Sequence, residues 1–110
     1  MLDLNAATDL AERYVIGLSH EAGFELVVLQ DRTMERDFGW VFYYGPKDGS
    51  TLIAGNAPFI VDRDSGSVHV TATAYPTETY LKNYARTGRA FPSGSRTMRW
   101  LLRGGHKAVL

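Results

Sequence analysis

The sequence predicts a single α+β domain in which an N-terminal helix, a four-stranded antiparallel meander and a second helix follow one another, ahead of a short basic C-terminal tail. Apolar residues recur at helical spacing within residues 1–20 and again after Pro76, and β-branched and aromatic runs separated by turn residues lie between them. Short strands joined by tight turns pair antiparallel, so we expect one sheet with both helices packed on the same face. A chain of 110 residues suits one such domain.

The first twenty residues are predicted to form an amphipathic helix. Asp9, Glu12 and Arg13 occupy its polar side, and Gly23 is expected to end it, because glycine readily adopts the left-handed conformation that follows many helices. The spacing of the apolar residues matches the helical period and predicts a core-facing side. That side consists of Ala7, Leu10, Ala11, Tyr14, Val15 and Leu18.

The middle of the chain predicts four strands, over residues 24–37, 40–44, 58–63 and 68–73. Gly39 interrupts the β-rich composition between the first two, and residues 46–50 have the composition of a turn. Asp64, Ser65 and Gly66 are expected to close the last two strands into a hairpin, with Gly66 at positive φ.

A second helix is predicted to begin at Pro76, which suits the first turn of a helix because it has no N–H to donate. Its apolar face would consist of Tyr80, Leu81, Tyr84 and Ala85. We therefore divide the chain into a domain of residues 1–87 and a basic C-terminal extension of residues 88–110. The extension begins with a predicted linker, residues 88–95, and continues into a predicted short helix, residues 96–103.

The second predicted strand is apolar on both faces, whereas a sheet with one solvated face should alternate between apolar and polar residues. If Trp40, Phe42 and Tyr44 face the helices, then Val41 and Tyr43 point the other way and need cover. The C-terminal extension, the second copy of a homodimer or a bound partner would supply that cover.

Charge is strongly segregated along the chain. Residues 1–85 hold all twelve acidic side chains and six basic ones, a net charge of −6, whereas residues 86–110 hold six basic side chains and no acidic one. The basic tail is therefore expected to meet something acidic, either its own domain or a partner. Nucleic acid and a membrane surface are weaker alternatives, and no membrane anchor is expected because the apolar runs are too short. The first residues lack a secretion signal, which predicts a cytoplasmic protein.

The residue types that carry catalysis or bind metals form no recognisable set. His20, His69 and His106 lie in separate elements, without the spacing of a metal site, and there are no cysteines. Residues 62–66 resemble the start of a calcium loop, but its twelfth position would be Thr73 rather than glutamate. We therefore expect a non-enzymatic protein without a cofactor or a metal.

The residues expected to contact a partner are Trp40, Val41, Tyr43, Asn56, Asp62 and Asp64. Tryptophan is enriched at binding hot spots, although a core position is the preferred interpretation of Trp40. Residues 55–58, Gly-Asn-Ala-Pro, are interpreted first as a tight turn and second as a partner contact.

The segment with Gly39, Trp40 and Phe42, together with residues 52–66, resembles the core signature of the immunity protein 35 family. The resemblance covers residues 6–85, including a second helix similar to the family's closing helix. It implies an α+β fold and a non-enzymatic role, in which the protein binds and neutralises a cognate bacterial toxin of a polymorphic toxin system. The same pattern is seen in small heat-stable bacterial proteins of the YrhB type, for which chaperone-like activity has been proposed. A holdase is therefore the alternative.

Overall fold

The computed structural model of the protein describes residues 1–48 and 57–91. The first helix, α1, spans Leu4–Ala22 and begins at Asp3, whose side chain accepts a hydrogen bond of 2.9 Å from the backbone N–H of Ala6. Gly23 ends the helix in the left-handed conformation, with a φ of 82°. The predicted end of the helix at Gly23 is confirmed, whereas its beginning after Asp3 was not predicted; both ends depend on local capping chemistry.

Six short strands follow in the described residues: β1 (Leu26–Val28), β2 (Met34–Arg36), β3 (Gly39–Phe42), β4 (Tyr44–Pro46), β5 (Phe59–Asp62) and β6 (Val68–Val70). All of their pairings are antiparallel. Strands β2, β3, β5 and β6 form a four-stranded sheet in that order, which confirms the predicted meander and the α+β class. Strands β1 and β4 form a separate two-stranded ribbon.

The first predicted strand, residues 24–37, is divided between these two sheets. A short 3₁₀ helix, Gln30–Arg32, separates β1 from β2. In the segment that pairs with them, a single residue, Tyr43, separates β3 from β4. The backbone N–H of Leu29 still donates to the carbonyl of Tyr43 at 2.8 Å. The two ladders are thus parts of one long hairpin, which bends where the first strand carries the extra residues.

The second helix, α2, spans Thr77–Thr87, directly after Pro76, and ends at Gly88 with a φ of 76°. Tyr80, Leu81 and Tyr84 are buried as predicted, whereas Ala85 is exposed.

The placement of α2 on the same sheet face as α1 is wrong, because the two helices cover opposite faces. Trp40 and Phe42 of β3 pack with α1, whereas Val41 packs with α2. The pairing carries this division into β5, where Val61 and Phe59 join the first face and Ile60 joins the second. The cover that the second face needs therefore comes from α2.

The packed core also extends beyond residue 87, into the predicted linker. Ala90 and Phe91 are 4% and 7% exposed and pack against Tyr80 and its neighbours. The side-chain amide of Asn83 donates to the carbonyls of Arg89 at 2.6 Å and Phe91 at 3.0 Å, which holds this segment against α2. Residues 96–103, predicted to form a third helix, lie outside the described residues.

We predict that Gly39→Ala strongly destabilises the protein. Gly39 has a φ of 150°, and an added Cβ would overlap the carbonyl oxygen of Val61 and lie 2.9 Å from the backbone nitrogen of Arg63. The expected loss of unfolding free energy is about 2 kcal/mol or more, measured by urea unfolding.

Gly17→Ala is the matched control, because nothing lies within 4 Å of its added Cβ in the interior of α1. This change should stabilise the protein by about 0.5–1 kcal/mol, the usual gain from replacing glycine with alanine in a helix. Equal effects of the two substitutions would contradict the described packing at Gly39.

Candidate functional site

Three chain segments meet at one end of the four-stranded sheet, a region that we call the hairpin end. It consists of the β5–β6 turn, the β2–β3 turn and the residues just before α1. The backbone of Arg63 joins all three, because its N–H donates to the carbonyl of Phe38 and its carbonyl accepts from the N–H of Leu2, each at 2.8 Å. The surface at this end is therefore fixed by the backbone.

The side chain of Arg63 reinforces this junction. Its guanidinium lies 4.5 Å from the centre of the Trp40 ring, a cation–π contact, and donates to a carboxylate oxygen of Glu35 at 2.7 Å. It also donates to the carbonyls of Arg36 at 2.8 Å and Asp37 at 3.3 Å. Several partners restrain one side chain here, so the charge of Arg63 is held in place and balanced by Glu35.

Asp62 organises the β5–β6 turn and connects it to α2. One of its carboxylate oxygens accepts from the backbone N–H groups of Asp64 at 2.9 Å and Ser65 at 3.1 Å, and the other accepts from the hydroxyl of Tyr84 at 2.5 Å. Burial tends to raise the pKa of Asp62, but the hydrogen bonds from Tyr84, Ser65 and Asp64 outweigh it, so the pKa is lower than usual. The carboxylate is thus ionised at neutral pH and fully engaged in structure.

Sequence reasoning missed a polar chain that runs from Ser65 through Ser67 to His69. The two serine hydroxyls are 2.7 Å apart, and the Ser67 hydroxyl is 2.7 Å from Nε2 of His69. His69 is half-buried, with its ring centre 4.7 Å from that of Tyr84. Burial lowers the pKa of His69, and nearby Asp62 partly opposes this shift. The sequence signal for the second contact is the spacing of two between Ser67 and His69, which places both side chains on the same side of an extended chain.

A serine nucleophile requires a histidine within hydrogen-bond distance of its hydroxyl, and Ser67 meets this requirement through His69. We therefore considered whether Ser67 could be a catalytic residue. The usual third member is a carboxylate that orients the histidine. Asp62 is the nearby carboxylate, but its described hydrogen bonds come from Tyr84, Asp64 and Ser65, not from His69. The arrangement favours a scaffold for the hairpin over a reaction centre.

The structure separates the residues expected to contact a partner. Trp40 and Val41 are 3% and 0% exposed and lie in the core on opposite sheet faces, so neither side chain offers a contact surface in the folded chain. This outcome confirms the core interpretation of Trp40. Tyr43 is half-buried, 4.9 Å below the Arg32 guanidinium, and lies at the far end of β3 from the hairpin end. Asn56 lies outside the described residues.

Asp62 and Asp64 are the two expected contacts that the structure brings together, and Asp64 is exposed. Two further exposed acidic residues belong to segments joined by Arg63. Asp37 precedes Phe38, whose carbonyl accepts from Arg63, and Asp3 follows Leu2, whose N–H donates to it. The hairpin end is consequently acidic, with its central arginine already paired.

The described part of the chain supports neither a metal site nor a membrane-spanning helix. No group of three or more histidine, cysteine or acidic residues there could hold a metal ion. Neither described helix is both long and apolar enough to cross a membrane.

The fold and this surface define a small α+β domain with a sheet enclosed between two helices. No protein-family model and no solved structure matches the chain. The chain is similar to an uncharacterized protein, YrhB, of Escherichia coli (strain K12). The two are 44% identical over 52 residues, which cover 42% of this chain and 55% of YrhB. The similarity thus spans little more than half of that relative.

We predict that Tyr84→Phe destabilises the protein in a manner that depends on pH. The change removes the hydroxyl that donates to Asp62, and loss of such a hydrogen bond to a charged group costs about 1–3 kcal/mol at neutral pH. Because the folded pKa of Asp62 is lowered, its contribution is complete above its unfolded pKa of about 3.9 and is lost as the pH falls through the folded pKa.

The difference between the two proteins should therefore shrink in acid. Urea unfolding between pH 7 and the lowest pH at which the parent protein stays folded would measure it. Tyr75→Phe is the control, because Tyr75 is 41% exposed and should tolerate the change. A pH-independent difference for Tyr84→Phe would show that its hydroxyl does not act through the ionised Asp62.

Proposed function

We propose that this protein is a cytoplasmic immunity protein that neutralises a bacterial toxin by binding it one to one, without turnover. The resemblance to the immunity protein 35 family suggests this role. The observation that carries the proposal is the hairpin end, an acidic surface that is rigid before any partner arrives.

Rigidity matters because a binder loses affinity when it must order its own surface on association. At the hairpin end that ordering is already complete: the backbone of Arg63 joins three segments, and its side chain is held by Trp40 and Glu35. Asp62 holds the turn that presents Asp64. A partner can therefore bind the exposed carboxylates at little conformational cost.

The charge of this surface favours a basic partner surface. Asp3, Asp37 and Asp64 are exposed, whereas the positive charge of Arg63 is paired with Glu35. Complementary charge raises association rates and selects partners more than it adds affinity. A toxin that acts on an anionic substrate would offer a complementary basic surface, and a protein bound there would block it.

A holdase that shields unfolding proteins is the second candidate. It is favoured by large apolar side chains that remain exposed on α1 and just after it, Ile16 at 57% and Phe24 at 45%. Such residues can contact unfolded chains with little selectivity. Stoichiometry and partner range distinguish this function from specific neutralisation.

We predict an equivalence point near one to one when the purified protein is titrated against a purified toxin encoded beside its gene. Isothermal titration calorimetry and a residual toxin-activity assay would both measure it. Protection at a small fraction of that ratio would indicate turnover and refute stoichiometric neutralisation. Weak suppression of aggregation of many unrelated proteins, without tight toxin binding, would favour the holdase.

We also predict that Asp64→Lys weakens toxin binding by about tenfold or more, which is about 1.4 kcal/mol, mostly through slower association. Asp64 is exposed and holds the turn through its backbone N–H, so the melting temperature should hardly change. Asp9→Lys, an equal charge reversal at an exposed position of α1, is the matched control. Equal weakening by both changes would mean that overall charge, not the hairpin end, determines binding.

A further inference from the structure

An apolar depression open to solvent lies between the end of α1 and the start of β1. We call it the helix-end groove, and it is lined by Ile16, Ser19, His20, Phe24, Glu25 and Leu26. Two of these apolar side chains are unusually exposed, Ile16 at 57% and Phe24 at 45%. The groove lies beside the α1 face of the sheet and is separate from the hairpin end.

The groove is preformed, because its two walls are joined by hydrogen bonds. The hydroxyl of Ser19 accepts from the backbone N–H of Leu26 at 2.8 Å and lies 3.0 Å from the carbonyl of Val15 and 3.2 Å from that of Leu26. Gly23 closes the helix in the left-handed conformation and turns the chain into β1. An occupant therefore meets a fixed apolar surface.

The rim of the groove is acidic. Glu25 lines it, where it forms an ion pair of 3.5 Å with Lys47. The negative charge of the rim therefore comes mainly from the neighbouring glutamates of α1, of which Glu12 lies one helical turn before Ile16 on the same stripe. Glu21 adjoins His20 on the last turn. The surface thus fits an occupant with one or two large apolar side chains flanked by positive charges.

The chain itself contains such a segment. Residues 96–103 place Arg96, Arg99 and Arg103 around a bulky apolar group of Met98, Trp100, Leu101 and Leu102. We propose that this segment of the same chain docks in the helix-end groove, with Trp100 as the apolar anchor. The proposal does not depend on the proposed toxin binding.

The reach of the chain beyond Phe91 is comparable to the size of the molecule. Phe91 is packed on the α2 side of the sheet, and Trp100 follows nine residues later. Nine residues reach about 30 Å when extended, and the molecule is 23 Å across its smallest dimension. A segment attached in this way competes at an effective concentration of about millimolar, which favours it over a second copy in dilute solution.

The other candidate surface for this segment is already filled. The sheet face of Val41 and Ile60 is covered by α2 together with Ala90 and Phe91. The helix-end groove, by contrast, combines exposed large apolar side chains with an acidic rim.

Tryptophan fluorescence of the full-length protein tests the proposal, because the chain has two tryptophans and Trp40 is buried. A full-length Trp100→Phe protein gives the signal of Trp40 alone, so the remainder reports Trp100. Iodide should quench Trp100 weakly in the parent protein. Ile16→Asp and Phe24→Asp should each raise its quenching constant severalfold, toward that of free tryptophan.

Leu4→Asp is the matched control, because Leu4 is 51% exposed at the other end of α1 and should leave quenching unchanged. Circular dichroism melts show whether each variant folds. If a groove variant does not fold, a protein with Arg96, Arg99 and Arg103 all changed to Glu provides the second test, since it alters no described residue, and it should show the same increase. Unchanged quenching in the folded groove variants, or an equal increase in Leu4→Asp, would overturn the proposal.

Sedimentation velocity over a wide range of protein concentration separates docking within one chain from docking between two. A monomer with concentration-independent protection of Trp100 is expected. A dimer whose dissociation on dilution exposes Trp100 would overturn docking within the same chain and assign the groove to a second copy.

Discussion

The two central strands of the sheet are apolar on both faces, and the rest of the structure depends on covering both. In β3 and β5, Trp40 and Val61 face one side while Val41 and Ile60 face the other, and all four are almost fully buried. A strand of this kind costs free energy if either face meets water, since each large apolar side chain contributes about 1.5–3 kcal/mol when buried. The two helices provide this cover. Helix α1 precedes the sheet in the sequence and packs on one face, and α2 follows the sheet and packs on the other.

The same enclosure makes the hairpin end rigid. Since α1 and α2 lie on opposite faces, groups from both sides reach the β5–β6 turn: Leu2 bonds to Arg63 from the α1 side, and Tyr84 bonds to Asp62 from the α2 side. Arg63 then spans the edge of the sheet, with its guanidinium over Trp40. A turn that would be mobile in an isolated hairpin is thereby fixed, and its exposed carboxylates keep their positions. The candidate surface is a consequence of the packing.

Local chemistry in the sequence was enough to predict the C-terminal end of α1, the hairpin with Gly66 and the start of α2, because caps and turns depend on a few neighbouring residues. Which face of the sheet each helix covers was not predictable in this way. The apolar pattern of residues 40–44 indicated that both sheet faces need cover, but it did not identify which segment covers the second one.

The sequence also did not predict the division of residues 24–37 between two sheets or the contact between Ser67 and His69. The first depends on how two long strands bend together, and the second becomes visible only when residues two apart, just before and within the edge strand, are compared.

Helix α1 also determines how the two surfaces relate to each other. Its first residue follows Asp3 at the hairpin end, and its last turn forms a wall of the helix-end groove. His20 lies seventeen positions after Asp3, which corresponds to about 25 Å of helix at 1.5 Å per residue. This distance exceeds the Debye length of about 8 Å at physiological ionic strength, so charges at one surface are largely screened from the other. A basic segment in the groove would therefore leave the acidic hairpin end free, and a partner bound at the hairpin end would not need to displace that segment. The two proposed sites would act independently because α1 holds them apart.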